Sequence, residues 1–196
     1  MQFSHYLNHS YQKGFTLIET IVGMVVLAIS FSILTTLIYP VAQQSADQLH
    51  QVKAAELAQS VLNEIQNKAF DNNSDMAGGR VRCGDIDADD CSTAMGPDTV
   101  SGITETRATF NDVDDYNLLE YGDLYGKGGI ENSQGGGIDL YLGYSMRITV
   151  CNDASYDGSC PNDLSKVATS VAKLITVTIT TPTDFSMSFS TYRANF

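Results

Sequence analysis

The chain has 196 residues and a formal net charge of −12, with 23 acidic against 11 basic residues. Because nucleic acids are bound by clustered Lys and Arg, this balance argues against a nucleic-acid partner. Once a short N-terminal segment and one membrane span are set aside, roughly 155 residues remain, which suits one globular domain.

An uncharged apolar segment occupies residues 20–39. As a helix rising about 1.5 Å per residue it would be roughly 30 Å long, which matches the hydrocarbon thickness of a bilayer. Residues 1–14 contain Lys13 and no acid, whereas an acidic region follows the span, so the positive-inside rule predicts a cytoplasmic N-terminus. An ordinary cleaved secretory signal is the alternative, but its apolar core would be shorter and a small-x-small site would follow it.

Glu19 lies immediately before this apolar segment, at the start of the predicted span. A carboxylate at membrane depth costs several kcal/mol unless it is paired. Glu19 therefore either has a positively charged partner or extends from the membrane interface into water.

The residues Gly14-Phe15-Thr16-Leu17-Ile18-Glu19 resemble the class III signal of type IV pilins and type II secretion pseudopilins. The resemblance implies that prepilin peptidase removes a leader, residues 1–14, by cutting between Gly14 and Phe15, and methylates the new N-terminus at Phe15. It also implies that Glu19 pairs with the N-terminal amine of a neighbouring subunit. Residues 15–40 would then be the transmembrane and filament-core half of a long helix, and residues 41–196 a periplasmic pilin domain.

After Pro40, apolar residues recur at intervals of three and four, which predicts an amphipathic helix continuing to about Phe70. The positions are Leu49, Val52, Ala55, Ala58, Val61, Leu62, Ile65 and Ala69. Pro40 lacks a backbone donor, so a bend is expected there. A coiled-coil homodimer is the alternative for this stretch, although Ala and Val form a weak seam.

Residues 71–140 hold 12 of the 16 glycines, 15 of the 23 acidic residues and four of the 11 basic residues. This composition predicts a loop-rich region that is either a solvated surface or a cation site. Three aspartates alternate between the first two cysteines: Asp85, Asp87 and Asp89. Such spacing lets oxygens converge in calcium loops, but the glycine and distal glutamate of an EF-hand are missing.

A second acidic cluster comprises Asp112, Asp114 and Asp115. Three carboxylates this close repel one another unless they are solvated or neutralised, which again allows calcium without requiring it. The string Asp112-Val113-Asp114-Asp115-Tyr116-Asn117 is also similar to a segment of the minor pilins of the mannose-sensitive haemagglutinin (MSHA) pilus. Asn111 stands where that segment often has aspartate.

The four cysteines, Cys83, Cys91, Cys151 and Cys160, lie in the part predicted to be exported, where disulfides form. Of the three possible pairings we favour Cys83–Cys91 with Cys151–Cys160, because both intervals are short and turn-rich. Zinc is the competing use, but neither pair has the two-residue spacing of zinc knuckles. A Cys151–Cys160 loop would also resemble the disulfide-bounded region of type IV pilins.

Alternation of apolar and polar residues predicts strands in the C-terminal half of the chain. The segments are 101–110, 144–150, 173–181 and 185–189. The predicted fold is therefore α+β and pilin-like, with the long helix packed on an antiparallel sheet of three or four strands and an acidic, Gly-rich loop region between them.

No catalytic arrangement is evident. His50 is the only histidine beyond residue 14, and we predict an ordinary position at the solvent edge of the helix. We therefore predict that the protein is not an enzyme.

We predict instead a minor pilin-like subunit of an MSHA-like type IV pilus, acting in pilus initiation or tip assembly and in surface attachment. It would lie in the inner membrane before assembly and on the cell surface afterwards. Its predicted partners are other pilins and minor pilins, prepilin peptidase and the inner membrane, and calcium is the one cofactor that the acidic clusters allow. The alternatives are a type II secretion pseudopilin and a monomeric, membrane-anchored periplasmic domain that binds calcium or sugars.

Overall fold

The fold is that of a computed structural model, which describes residues 14–76, 79–160, 169 and 171–196, without the side chains of residues 39–43 and 100. Apart from Gly14, the predicted leader lies outside the described residues. The chain forms two compact units, Met1–Ala46 and Asp47–Phe196. The predicted α+β architecture is confirmed: a long N-terminal helix is followed by loops and a four-stranded antiparallel sheet.

Helix α1 spans Leu17–Gln66, and its backbone is helical through Pro40. The bend expected at Pro40 stays a prediction. The helix ends before the predicted Phe70, because the backbone of Ala69 bonds to another segment: its N–H donates to the carbonyl of Asn111 at 3.3 Å, and its carbonyl accepts from Val113 N–H at 3.1 Å. This pairing draws the chain out of the helical path.

The first part of α1, Leu17–Ile38, is long and apolar enough to cross a membrane, with a mean hydropathy of 2.5. Its side chains are exposed all round. Four hydroxyl groups within it donate to carbonyls of the preceding turn, as Ser30 does to Val26 at 2.8 Å and Thr35 to Phe31 at 3.0 Å. The helix thus satisfies these polar groups internally, as a hydrocarbon environment requires.

The sheet has the order β3–β4–β5–β6, and every neighbouring pair is antiparallel. Its strands are β3 (Glu120–Tyr121), β4 (Ser145–Asn152), β5 (Ala172–Thr180) and β6 (Ser186–Ala194). The last three confirm the strands predicted from alternation. The predicted strand at 101–110 is wrong. A short hairpin pairs two strands of two residues each, β1 (Thr99–Val100) and β2 (Ile103–Thr104), and of these only β2 lies in the predicted stretch, where a turn follows it.

That hairpin turns sharply where the alternation suggested a continuous strand. Ser101 and Gly102 adopt φ values of 54° and 81°, a left-handed conformation that breaks an extended chain. Farther along, the N–H groups of Thr109 and Phe110 both donate to the carbonyl of Thr106, at 2.7 and 3.1 Å. The segment therefore contains two turns and the two residues of β2, and it is not a continuous strand.

The core of the second unit lies between the last turns of α1 and one face of the sheet. The helix contributes Ala54, Leu57, Ala58, Val61, Leu62 and Ile65; the sheet contributes Met146, Ile148, Val150, Ile175, Val177 and Ile179. Leu49 and Val52, expected on the buried face, are exposed instead. At about 100° per residue, Leu49 is rotated by roughly 140° from Ala54, so it cannot share that face.

Candidate functional site

The N-terminal signal residues lie before and within the first turn of α1. Gly14 and Phe15 precede the helix in a non-helical backbone, and both are exposed. Among the described residues other than its chain neighbours, none has an atom within 4 Å of the position that a Cβ would take on Gly14. In the described part of the chain, both residues that flank the predicted cleavage site are therefore exposed.

Thr16 caps the helix, a role that the sequence interpretation missed. Its hydroxyl accepts a bond from Glu19 N–H at 3.4 Å, and its carbonyl accepts from Thr20 N–H at 3.2 Å. The sequence signal was present, since Thr-x-x-Glu is the pattern of a capping box. Glu19 thus lies in the first turn, where the helix dipole favours a negative charge.

The Glu19 carboxylate is exposed, and within the described part of the chain it has no ion-pair partner. Each positively charged group that the structure places in an ion pair belongs to the second unit. A cation for Glu19 would therefore have to come from a residue outside the described ranges or from another chain.

The first acidic candidates, Asp85, Asp87 and Asp89, are exposed on the loop that the Cys83–Cys91 disulfide closes. Backbone bonds order this loop, including Gly84 N–H to the Asp89 carbonyl at 2.8 Å. The three carboxylates do not form a convergent ligand group within the described structure. Calcium binding by these three aspartates stays a prediction.

The other candidates, Asp112, Asp114 and Asp115, are buried, and two of them cap the backbone of their own turn. Asp112 Oδ1 accepts from the N–H groups of Asp114 at 2.7 Å and Asp115 at 3.3 Å. Asp115 Oδ2 accepts in return from the N–H groups of Asn111 at 2.8 Å and Asp112 at 3.2 Å. These reciprocal bonds hold the carboxylates in a tight turn.

A buried lysine neutralises the third carboxylate. Lys173 Nζ lies 2.7 Å from Asp114 Oδ1 and 3.3 Å from Asp71 Oδ2, and it donates to the carbonyl of Phe70 at 2.6 Å. Lys173 is fully buried, and its ammonium also lies 4.3 Å from the centre of the Phe70 ring. Oxygen atoms are the ligands that calcium prefers, but here the oxygens of Asp114, Asp71 and Phe70 surround the ammonium group of Lys173 from β5.

This buried cluster is rich in negative charge, and burial disfavours the charged forms. It raises the pKa of Asp112 to about 6 and that of Asp114 to about 7, and at Asp114 it outweighs the attraction of Lys173. Burial and the neighbouring Asp115 carboxylate raise the pKa of Glu105 to about 7. Some of these carboxyl groups are therefore partly protonated near neutral pH.

A second buried ion pair ties the same region to the helix. Arg107 forms a two-pronged pair with Glu64, with Nη1–Oε1 and Nη2–Oε2 distances of 2.6 and 2.7 Å. Tyr116 donates its hydroxyl to Glu64 at 2.7 Å, and its ring lies 4.9 Å from the Arg107 guanidinium carbon. Bidentate geometry and burial make this an unusually strong connection between the loop region and α1.

The cysteines form the two disulfides favoured from the sequence, Cys83–Cys91 and Cys151–Cys160. Within the described residues, one group of potential metal ligands converges, Asp71 with Cys83 and Cys91. Because both cysteines are oxidised in the disulfide, they offer no thiolate for zinc.

His50 is half-buried at the edge of the helix, which agrees with the predicted position. Its Nδ1 lies 2.7 Å from the hydroxyl of Tyr144, at the point where the chain enters β4. This contact connects α1 to the sheet and gives the histidine a structural role.

Comparison with known proteins gives one match. A model of the prokaryotic N-terminal methylation motif matches residues 9–35, the stretch that contains Gly14, Phe15 and Glu19. Neither a curated protein nor a solved structure matches the chain. The N-terminal methylation motif, together with the long apolar helix and the C-terminal antiparallel sheet, supports a type IV pilin-like or pseudopilin-like protein.

Proposed function

We propose that this chain is a minor pilin-like structural subunit of an MSHA-like type IV pilus, cut between Gly14 and Phe15 and assembled through its N-terminal helix. One observation carries the proposal: within the matched motif, the exposed residues Gly14 and Phe15 precede the apolar helical segment Leu17–Ile38, in which Glu19 is the one charged residue. A bilayer offers that acid no partner, whereas a bundle of similar subunits offers the cationic amine of a processed N-terminus.

The location and role follow from the same reasoning. The N-terminus stays cytoplasmic, the unit Asp47–Phe196 is exported, and the subunit moves from the inner membrane into the pilus, where it acts in initiation or at the tip and in surface attachment. The string at residues 112–117 supports the MSHA assignment, and two disulfides suit an exported domain.

The proposal is tested at Glu19. In cells that make the pilus, Glu19→Ala and Glu19→Gln should leave the amount of subunit in the membrane fraction unchanged and remove it from sheared pili. Glu56→Ala, which removes an exposed acid farther along the same helix, is the matched control and should be incorporated normally. Mass spectrometry of the native chain should find N-methyl-Phe15 as the first residue. A chain that retains Met1, or unchanged incorporation of both Glu19 variants, would support a simple membrane anchor instead.

A type II secretion pseudopilin would share the same N-terminus and the same dependence on Glu19. The two are separated by location: a pilus subunit is recovered from surface fibres removed by shearing. A pseudopilin is absent from those fibres, and its deletion stops secretion of soluble proteins.

A further inference from the structure

Four exposed apolar side chains lie at one end of the sheet: Leu124, Leu140, Leu142 and Phe185, which are 62, 59, 72 and 46% exposed. We call them the apolar end surface. Soluble domains rarely leave several large apolar side chains exposed at one end of a sheet unless the surface binds a partner.

The structure brings these residues together around the start of β4. Two turns with the same sequence, Asp-Leu-Tyr, occupy Asp123–Tyr125 and Asp139–Tyr141. The first contacts β4 through Leu124 N–H, which donates to Ser145 Oγ at 3.2 Å. The second leads directly into β4, and the Tyr141 and Tyr144 rings meet edge to face at 5.8 Å.

The hairpin between β5 and β6 completes this end. A Cβ on Gly143 would lie 3.3 Å from Pro182 Cγ, so the hairpin touches the start of β4. Phe185 closes the same hairpin, since its carbonyl accepts from Thr181 N–H at 2.9 Å. The four apolar side chains thus come from three loops that meet at one end of the sheet.

An exposed aspartate immediately precedes three of these four side chains: Asp123 before Leu124, Asp139 before Leu140 and Asp184 before Phe185. The Arg147 guanidinium carbon lies 4.6 Å from the centre of the Tyr125 ring in the first turn, but this group is paired with Glu120. Lys127 is the other basic residue close to this turn along the chain, so the three aspartates leave acids in excess. The surface therefore combines apolar anchors with a negative rim. This is the composition of a protein interface with a polar, charged edge.

We propose that the apolar end surface docks a second, different pilin-like subunit, which offers an apolar cleft rimmed by Lys or Arg. This inference rests on the proposed function and names one contact surface of the assembly. A second copy of this chain fits poorly, because it would bring the same aspartates against one another. Anionic lipid headgroups are repelled for the same reason.

Photo-crosslinking in cells that assemble the pilus tests the docking surface. The photoreactive residue p-benzoylphenylalanine replaces Leu140 in one full-length variant and Leu124 in another. Ile86, which is fully exposed on the loop closed by the Cys83–Cys91 disulfide, is the control position. We expect an adduct at Leu124 and Leu140 with a protein that carries its own N-terminal methylation motif, at a yield roughly tenfold above that at Ile86.

Reversing the charge of the aspartates at this surface is the second part of the crosslinking experiment. Asp123→Lys with Asp139→Lys should reduce the Leu140 adduct roughly tenfold, because like charges then face the basic rim. The double variant Glu56→Lys with Asp90→Lys, at two exposed acids outside this surface, carries the same change in net charge and should keep the adduct. Protease resistance of each variant shows that the domain is folded.

Three results would overturn the docking surface: an adduct between two copies of this chain, an adduct with phospholipid, or yields at Leu124 and Leu140 equal to that at Ile86. A photoreactive residue in place of Phe31, in the apolar helix, distinguishes a wrong docking surface from a wrong proposed function. If Phe31 captures pilin-type subunits while the end surface does not, only the docking surface is wrong. If Phe31 also captures none, the assembly role itself is wrong.

Discussion

Replacement of Lys173 by methionine should be the most damaging single change in the second unit. Methionine matches the volume of the lysine stem but removes the ammonium group that lies 2.7 Å from Asp114 and 3.3 Å from Asp71. Removing one partner of a buried pair leaves an uncompensated charge and costs about 3–5 kcal/mol. Part of this cost is recovered if Asp114 takes up a proton, which its raised pKa favours.

The measurement is pulse proteolysis of the mature full-length chain in a mild detergent across a urea series. With a urea dependence of about 2 kcal/mol per M, Lys173→Met should lower the unfolding midpoint by roughly 1.5–2.5 M. Lys127→Met, at an exposed position, should change it by less than about 0.25 M. The double variant Lys173→Met with Asp114→Asn should recover part of the loss, because it removes one of the unpaired carboxylates. A Lys173→Met midpoint equal to that of the wild type would refute the account of the buried cluster.

Three further predictions concern the same unit. Arg107→Met should destabilise it by about 2–4 kcal/mol, since it leaves the Glu64 carboxylate without its cation and the Tyr116 ring without the guanidinium that lies against it. The exposed Arg82→Met should be neutral, and equal midpoints for the two variants would contradict the ion-pair account. The free energy of unfolding should fall as pH rises from about 4 to 7, because the folded state holds protons on Asp112 and Asp114 that the unfolded state has already released. A urea midpoint that stays constant or rises from pH 5 to 8 would show that other groups dominate. Calcium binding at Asp85, Asp87 and Asp89 stays a proposal. A thermal unfolding midpoint that is higher in millimolar calcium than in chelator, with the difference lost in Asp87→Asn, would support calcium binding. Identical midpoints in calcium and chelator would remove the proposal.

The long regular elements could be predicted because their periodicity extends over many residues. Strands β4, β5 and β6 are eight or nine residues long, so period-two alternation is repeated four times in each. β3 has two residues, too few for any pattern, and its place in the sheet depends on pairing with Arg147 and Met146. Short elements of this kind are fixed by tertiary contacts and carry no local signal.

The buried lysine was missed although a signal was present. Lys173 shares the parity of Ile175, Val177 and Ile179, so alternation places it on the inner face of β5. A charged residue on a buried face requires a partner, and the acids at 112–115 formed a cluster that itself required solvent or a cation. The cluster was predicted to be either solvated or neutralised by a cation, and the structure supplies a cation from within the chain.

The N-terminal helix presents the opposite situation, since its requirements cannot be met within one chain. The 15 large apolar side chains exposed between Phe15 and Ile38 would cost roughly 20–45 kcal/mol in water, well above the 5–15 kcal/mol by which a domain is typically stable. Lipid and a bundle of apolar helices both remove this cost, so burial of apolar surface gives little preference between them. A preference for the helix bundle over lipid must therefore come from a group whose free energy differs between the two environments. Glu19, in the first turn of the helix, is such a group, because a neighbouring amine would neutralise its carboxylate and lipid would not. For that reason a substitution at Glu19 should separate membrane insertion from filament assembly, while a change in any one apolar residue should not.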